Sequence, residues 1–289
     1  MFYLLSLISG ILLSITILFN GQLSELYGLY SSSIIIHMTG LILISAAAVV
    51  KRERPFSNRQ QWFLYMGGAI GLATLVFTNF AFGYISVSAI LALGLLGQGV
   101  ASLLVDRYGL MGMSKYPFHK GKLIGLLIVF FGIVSMITSF HFLAVTLAFA
   151  AGVTSVVART LNGKLADLTS VGVSTFYNYF VGLGAAIIAF LVLGGGEAIY
   201  YGFVVSTNWS IYLGGAVGVV FIAISNYIVT KISAFSLSLF LFVGQVFSGI
   251  LIDGLVLGEF SVRVLIGGIL VAVGMCVDLF SGKKARAEG

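Results

Sequence analysis

Runs of about 20 mainly apolar residues, parted only by short polar breaks, fill nearly the whole chain, and such runs have the length that spans a bilayer. Of the 289 residues, 60% are hydrophobic and 8% are charged. In water this composition leaves apolar surface with nothing to cover it, and a lipid bilayer removes the conflict. At about 1.5 Å per residue, about 20 residues cross the roughly 30 Å of hydrocarbon. That ruler places spans at 2–20, 31–50, 62–82, 85–104, 122–140, 143–161, 171–193, 209–230, 233–252 and 263–281. Breaks are expected at Asn20-Gly21, along Lys51 to Gln61 with Pro55, at Gly83, and along Asp106 to Lys122 with Pro117. Both prolines therefore fall in connections. The expected fold is an all-α integral membrane protein with ten transmembrane helices.

The segment Met1 to Gly10 has no basic residue ahead of its apolar run and no small-residue cleavage pattern before Asn20. It reads as a first membrane helix rather than a removable signal. The single cysteine, Cys276, permits neither an intramolecular disulfide nor a thiolate cluster, and no metal site or cofactor is expected.

Lysine and arginine set the orientation of membrane helices. With the N-terminus in the cytoplasm, Lys51, Arg52, Arg54, Arg59, Arg107, Lys115, Lys120, Lys122, Arg159, Lys164, Lys231, Lys283, Lys284 and Arg286 all fall inside, and only Arg263 falls outside. A wrong span count would scatter these charges over both faces. Both termini are expected in the cytoplasm of a bacterial-type inner membrane. The net charge of +6 belongs to short loops beside apolar spans, where it meets anionic lipid, and no nucleic-acid signature is present.

The two halves repeat each other. Asn20-Gly21-Gln22-Leu23 returns as Asn162-Gly163-Lys164-Leu165 and Gly40 as Gly182, both at a shift of 142. At a shift of 147, Gly67-Gly68 with Gly71 and Asn79 returns as Gly214-Gly215 with Gly218 and Asn226, and Gly97-Gln98 with Asp106 returns as Gly244-Gln245 with Asp253. The difference fits an insertion around Gly194-Gly195-Gly196, and Leu123-Ile124-Gly125 returns as Leu265-Ile266-Gly267 at 142 again. The expected domains are 1–141 and 142–289. Five spans per repeat is odd, so the second repeat enters from the opposite face, the inverted-topology arrangement that serves alternating access.

The run Asn20-Gly21-Gln22-Leu23, the start Gly67-Gly68-Ala69-Ile70-Gly71, Gly97-Gln98 with Ser102 and Asp106, and the turn Arg107-Tyr108-Gly109-Leu110-Met111-Gly112 together resemble the YdcZ-like branch of the drug/metabolite transporter superfamily. The resemblance covers both halves and implies an inner-membrane exporter in its fused ten-helix form. It also implies a central cavity lined by the first four helices of each repeat, with the fifth and tenth peripheral. Small multidrug relatives carry a glutamate in their first helix. Here that helix offers only Ser6, Ser9, Ser14 and Thr16, so coupling through such a glutamate does not carry over.

Polar groups inside hydrocarbon are costly and therefore informative. No carboxylate falls near a midplane, and the embedded polar residues are Asn79, Gln98, Asn178, Asn226, Gln245 and His37, whose repeat counterpart is Tyr179. Gly94, Gln98, Ser102 and Asp106 form one stripe at four-residue spacing, and Gln245, Gly249 and Asp253 another. The glutamines either line a substrate path or hydrogen-bond a neighbouring helix. By depth, Asn20, Asn79 and Gln245 group towards the outer mouth and Asn162, Asn226 and Gln98 towards the inner one, which makes Asn20, Asn162, Asp106 and Asp253 candidate gates. For Asn20 and Asn162 the favoured reading is plainer, that they end helices as Asn-Gly turns. His37 reads either as a proton-coupling site or as a hydrogen-bonded packing residue.

The function that follows is a secondary transporter of a small neutral, zwitterionic or amphipathic metabolite, with that small molecule and membrane lipid as partners; a homodimer stays open. A lipid flippase or scramblase and a non-transporting membrane partner are the alternatives. An enzyme is not expected, since no nucleophile and base, HExxH or paired carboxylates appear.

Overall fold

The computed structural model describes residues 1–57, 59–82, 84–85, 87–116, 141–194, 196–197 and 205–252, with isolated positions between 123 and 130 and between 262 and 273. The described residues form eight α-helices: α1 Phe2–Tyr27, α2 Leu29–Val50, α3 Gly67–Phe82, α4 Val87–Tyr108, α5 Phe142–Leu168, α6 Val171–Leu193, α7 Gly214–Ile228 and α8 Ala234–Ile252. Short 3-10 turns, Trp62–Met66 and Trp209–Leu213, lead into α3 and α7. Five helical segments are long and apolar enough to cross a membrane: Phe2–Tyr27, Leu29–Val50, Phe142–Leu168, Val171–Leu193 and Trp209–Ile228. Spans 122–140 and 263–281 lie outside the described residues, isolated positions aside, as do Asp253, Glu259, Arg263, Cys276 and Asp278.

Two expectations need correction. Asn20-Gly21 and Asn162-Gly163 are not helix ends: α1 runs on to Tyr27 and α5 to Leu168. A helix satisfies its own backbone at any depth, so a polar pair need not end it when its side chain finds a place against another helix. Arg159 is not a solvated loop charge either. It lies inside α5 with 8% of its surface exposed.

Several hydroxyls within the helices are satisfied locally. Ser6, Thr16, Ser33, Thr175 and Ser248 each donate to the carbonyl four residues earlier at 2.6–2.9 Å, a bond that needs no water. Helix starts borrow acceptors. Ser170 caps α6 by accepting from Val173 N at 3.0 Å. The reversal between α1 and α2 takes one residue, Gly28, whose φ of 84° suits glycine. The start of α2 is held by the Glu197 carboxylate, which accepts from Tyr30 N at 2.9 Å and Ser31 N at 2.9 Å.

The chain gathers into two compact units, each drawing on both halves of the sequence. One comprises Met1–Ile11, Phe77–Val156 and Lys231–Gly289, and in it α4 packs on α8. Its core includes Leu93, Leu95, Ala144, Ala148, Phe235 and Leu239. The other comprises Leu12–Val76 and Val157–Thr230, and there α2 packs on α6 and α7.

Candidate functional site

In the second unit glycines let helices meet closely, and three of these contacts occur twice. A Cβ on Gly182 would fall on the His37 ring, and a Cβ on Gly40 would fall on the Tyr179 ring. A Cβ on Gly68 would strike the carbonyl of Asn178 and lie 2.7 Å from Gly182 N, while one on Gly215 would lie 2.5 Å from the Ile36 carbonyl and 3.0 Å from Gly40 N. Gly67 meets the amide side chain of Asn162 as Gly214 meets that of Asn20. Each member of a pair is found in the other at a shift of 142 or 147 residues. Small residues of this kind let helices approach closely where lipid offers no hydrophobic drive for them to associate.

The pairs differ in polarity. Asn162 Nδ2 donates to Asn178 Oδ1 at 2.7 Å, and Ser174 Oγ donates to the Asn162 carbonyl at 2.6 Å. Asn226 Nδ2 reaches Ser174 Oγ at 3.3 Å and Thr175 Oγ1 at 3.4 Å. All five residues are buried. At the position related to Asn178 the chain carries Ile36, and Asn20 Oδ1 is buried with no hydrogen-bond partner among the described residues. One side of this unit is thus a cluster of hydrogen-bonded amides and hydroxyls, and the equivalent side, with Ile36 in the place of Asn178, lacks the amide pair.

His37 places Nδ1 2.8 Å from the Ser33 carbonyl, an arrangement in which the ring nitrogen donates. Its ring lies 5.9 Å from that of Tyr179, tilted by 60°. Tyr179 donates its hydroxyl to the Gly215 carbonyl at 3.2 Å. Both rings therefore fill the space the opposed glycines leave.

In the first unit the glutamines flank helix crossings. A Cβ on Gly152 would strike the Gly94 carbonyl and lie 2.8 Å from Gln98 N, and one on Gly10 would strike the Leu241 carbonyl and lie 2.8 Å from Gln245 N. Along the stripe below Gln98, Ser102 Oγ lies 2.9 Å from Ser238 Oγ. Asp106, 2% exposed, accepts from Ala234 N at 2.7 Å and Phe235 N at 3.2 Å, so its carboxylate caps α8. Asn79 lies in α3, but its side chain and Asp253 fall outside the described residues.

Sequence reasoning thus named Asn162, Asn178 and Asn226, which the fold brings together, and passed over Ser174, Thr175, Ser225 and Arg159 beside them. The available signal was α5 itself. The expected span 143–161 put Arg159 two residues from a helix end, beside the loop, whereas a helix carried seven residues further makes it an interior position.

One family model, described as "Putative inner membrane exporter, YdcZ", matches the chain twice, over residues 1–135 and 143–277. No match was found among the curated proteins. A protein of known crystal structure has a similar fold, with a TM-score of 0.72 at 19% identity over 100% of this chain and 99% of that one.

Proposed function

The chain belongs to the YdcZ family of inner membrane exporters, and from that premise we propose that it is a secondary transporter working by alternating access on a small neutral, zwitterionic or amphipathic metabolite. The observation that carries this reading is the doubling of four close glycine contacts, at Gly40 and Gly182, Gly67 and Gly214, Gly68 and Gly215, and Gly10 and Gly152, at shifts of 142 and 147 residues. Such doubling supports two five-helix repeats, 1–141 and 142–289, of inverted topology. Two equivalent halves give two exchangeable arrangements of nearly equal energy, which a transporter needs to face each side in turn. The buried amides and hydroxyls around Asn162 and Asn226 supply hydrogen bonds without a fixed carboxylate to bind a cation. No nucleotide-binding loop is present, so a gradient supplies the energy.

Purified protein in liposomes, offered a panel of labelled metabolites and a fluorescent phospholipid, tests the reading. Saturable exchange of a metabolite is expected, with Asn226→Leu reducing its rate about tenfold or more, as loss of one or two interior hydrogen bonds implies. Phospholipid movement with no metabolite exchange would identify a lipid flippase or scramblase instead, and neither activity would leave a non-transporting partner.

The charge distribution carries a separate expectation. With both termini in the cytoplasm, tags after Gly289 and between Lys51 and Gln61 are expected to be shielded from protease in intact spheroplasts, and one beside Glu197 is expected to be cut. A C-terminal tag open to protease would overturn the even span count and with it the inverted repeat.

A further inference from the structure

Among the described residues Arg159 is the one buried cation, and packing symmetry does not account for it. The close contacts above come in pairs, but the position related to Arg159 by the shift of 142 is Ile17, which is 47% exposed. An arginine kept inside an apolar span is costly and marks a ligand path by default.

The register between α5 and α7 identifies what lies beside it. A Cβ on Gly163 would meet Val229 and lie 3.5 Å from the Asn226 carbonyl, and one turn further Thr230 donates to Asp167 at 3.0 Å. Sequence numbers rise together, so the two helices run parallel. One turn back from Gly163 is Arg159, and one turn back from Val229 is Ser225, each on the same helix face as the residue it precedes. Ser225 is 2% exposed, and its hydroxyl is buried with no hydrogen-bond partner among the described residues. Asn162, three residues on from Arg159, continues the polar face to Asn178 and Ser174.

We propose that Arg159 and the Ser225 hydroxyl form an oxyanion site that binds the carboxylate of the transported molecule. This rests on the transport reading and narrows it, among the zwitterionic and amphipathic substrates, to those carrying a carboxylate. Guanidinium has five donors in a planar fork, so two can meet both carboxylate oxygens while others hold protein groups. The Ser225 hydroxyl is the third donor, and the amide cluster beyond it accommodates the polar part of a zwitterion.

The full-length protein in phosphatidylcholine nanodiscs provides the test, with benzoate and glycine as carboxylate probes, benzamide as the neutral control and chloride held constant. Thermal unfolding is followed as each probe is titrated. A saturable rise in midpoint is expected with a carboxylate probe and not with benzamide. Arg159→Gln should weaken that apparent affinity about tenfold to a hundredfold and Ser225→Ala about fivefold, the scale of a charged and a neutral hydrogen bond respectively. Arg159→Lys, which keeps the charge and loses the fork, should fall between wild type and Arg159→Gln. If Arg159→Gln does not fold, Arg159→Lys and Ser225→Ala decide the matter by the same ordering. Equal affinity in wild type and variants, or no shift in wild type with either carboxylate, would overturn the site. So would a midpoint rise produced by phosphatidylglycerol in the disc that depends on Arg159 and abolishes the response to the probes, because the ligand would then be a lipid headgroup. Proteoliposome exchange of a neutral metabolite that Arg159→Gln leaves intact would refute the site while preserving the transport function.

Discussion

Gly68→Val and Gly215→Val should each abolish recovery of monodisperse protein after detergent extraction. At both positions a new Cβ meets backbone of the opposing helix: the Asn178 carbonyl at Gly68, and at Gly215 the Ile36 carbonyl and Gly40 N besides the Thr39 hydroxyl. A side chain can change rotamer, but a helical backbone moves only as a whole turn, so α6 or α2 would have to withdraw along its length. Overpacking by a methylene or two costs about 1–3 kcal/mol when neighbours yield, and here the neighbour is rigid, so the upper end of that range or more applies. Gly71→Val is the control, because a Cβ there meets nothing within 4 Å. Size-exclusion profiles of the three variants, expressed alike, decide the matter. Wild-type recovery of either Gly68→Val or Gly215→Val would show that the helices do not meet at backbone distance.

Asp106→Ala is expected to lower stability by about 3 kcal/mol. The carboxylate holds the first two backbone donors of α8, and its burial denies those donors water as a substitute. Loss of an N-terminal cap costs about 0.5–2 kcal/mol at ordinary sites, and a buried donor left without an acceptor adds about 1–3 kcal/mol. Asp106→Asn retains one acceptor and should lose about half as much. The readout is the midpoint of unfolding in a detergent titration, with Asp167→Ala, an exposed carboxylate that accepts from Thr230, as a control expected to shift it little. Identical midpoints for wild type and Asp106→Ala would show that Ser233, whose hydroxyl accepts from Ser236 N at 3.1 Å, caps the helix well enough alone.

Several elements were legible before any coordinates. Span 171–193 coincides with α6, because an unbroken apolar run is bounded by a serine cap and by Gly194. Span 62–82 covers the 3-10 turn and α3 together. The span 143–161 stopped short of the end of α5 because a bilayer ruler assumes that polar residues mark the water, whereas Arg159 is buried, Asn162 meets Asn178 and Gly163 meets Val229. His37 and Tyr179 were identified as counterparts. Self-comparison shows which positions are equivalent, however, not which ones touch, so the contact of each ring with the glycine of the other repeat emerged only from the packing.

The sequence by itself determined that the chain is helical, where most helices lie, and that its halves are related. Backbone hydrogen bonds in hydrocarbon must be closed within the segment that forms them, so local composition is enough to decide helix from anything else. The tertiary structure decided which polar groups face inward and what they meet: Asn162 with Asn178, Asp106 on the start of α8, and Glu197 on the start of α2. Lipid is as apolar as the helices it surrounds, so partner choice rests on small-residue fit and on hydrogen bonds between residues distant in sequence. Those terms depend on shape in three dimensions, and a linear pattern of apolar and polar residues does not carry them.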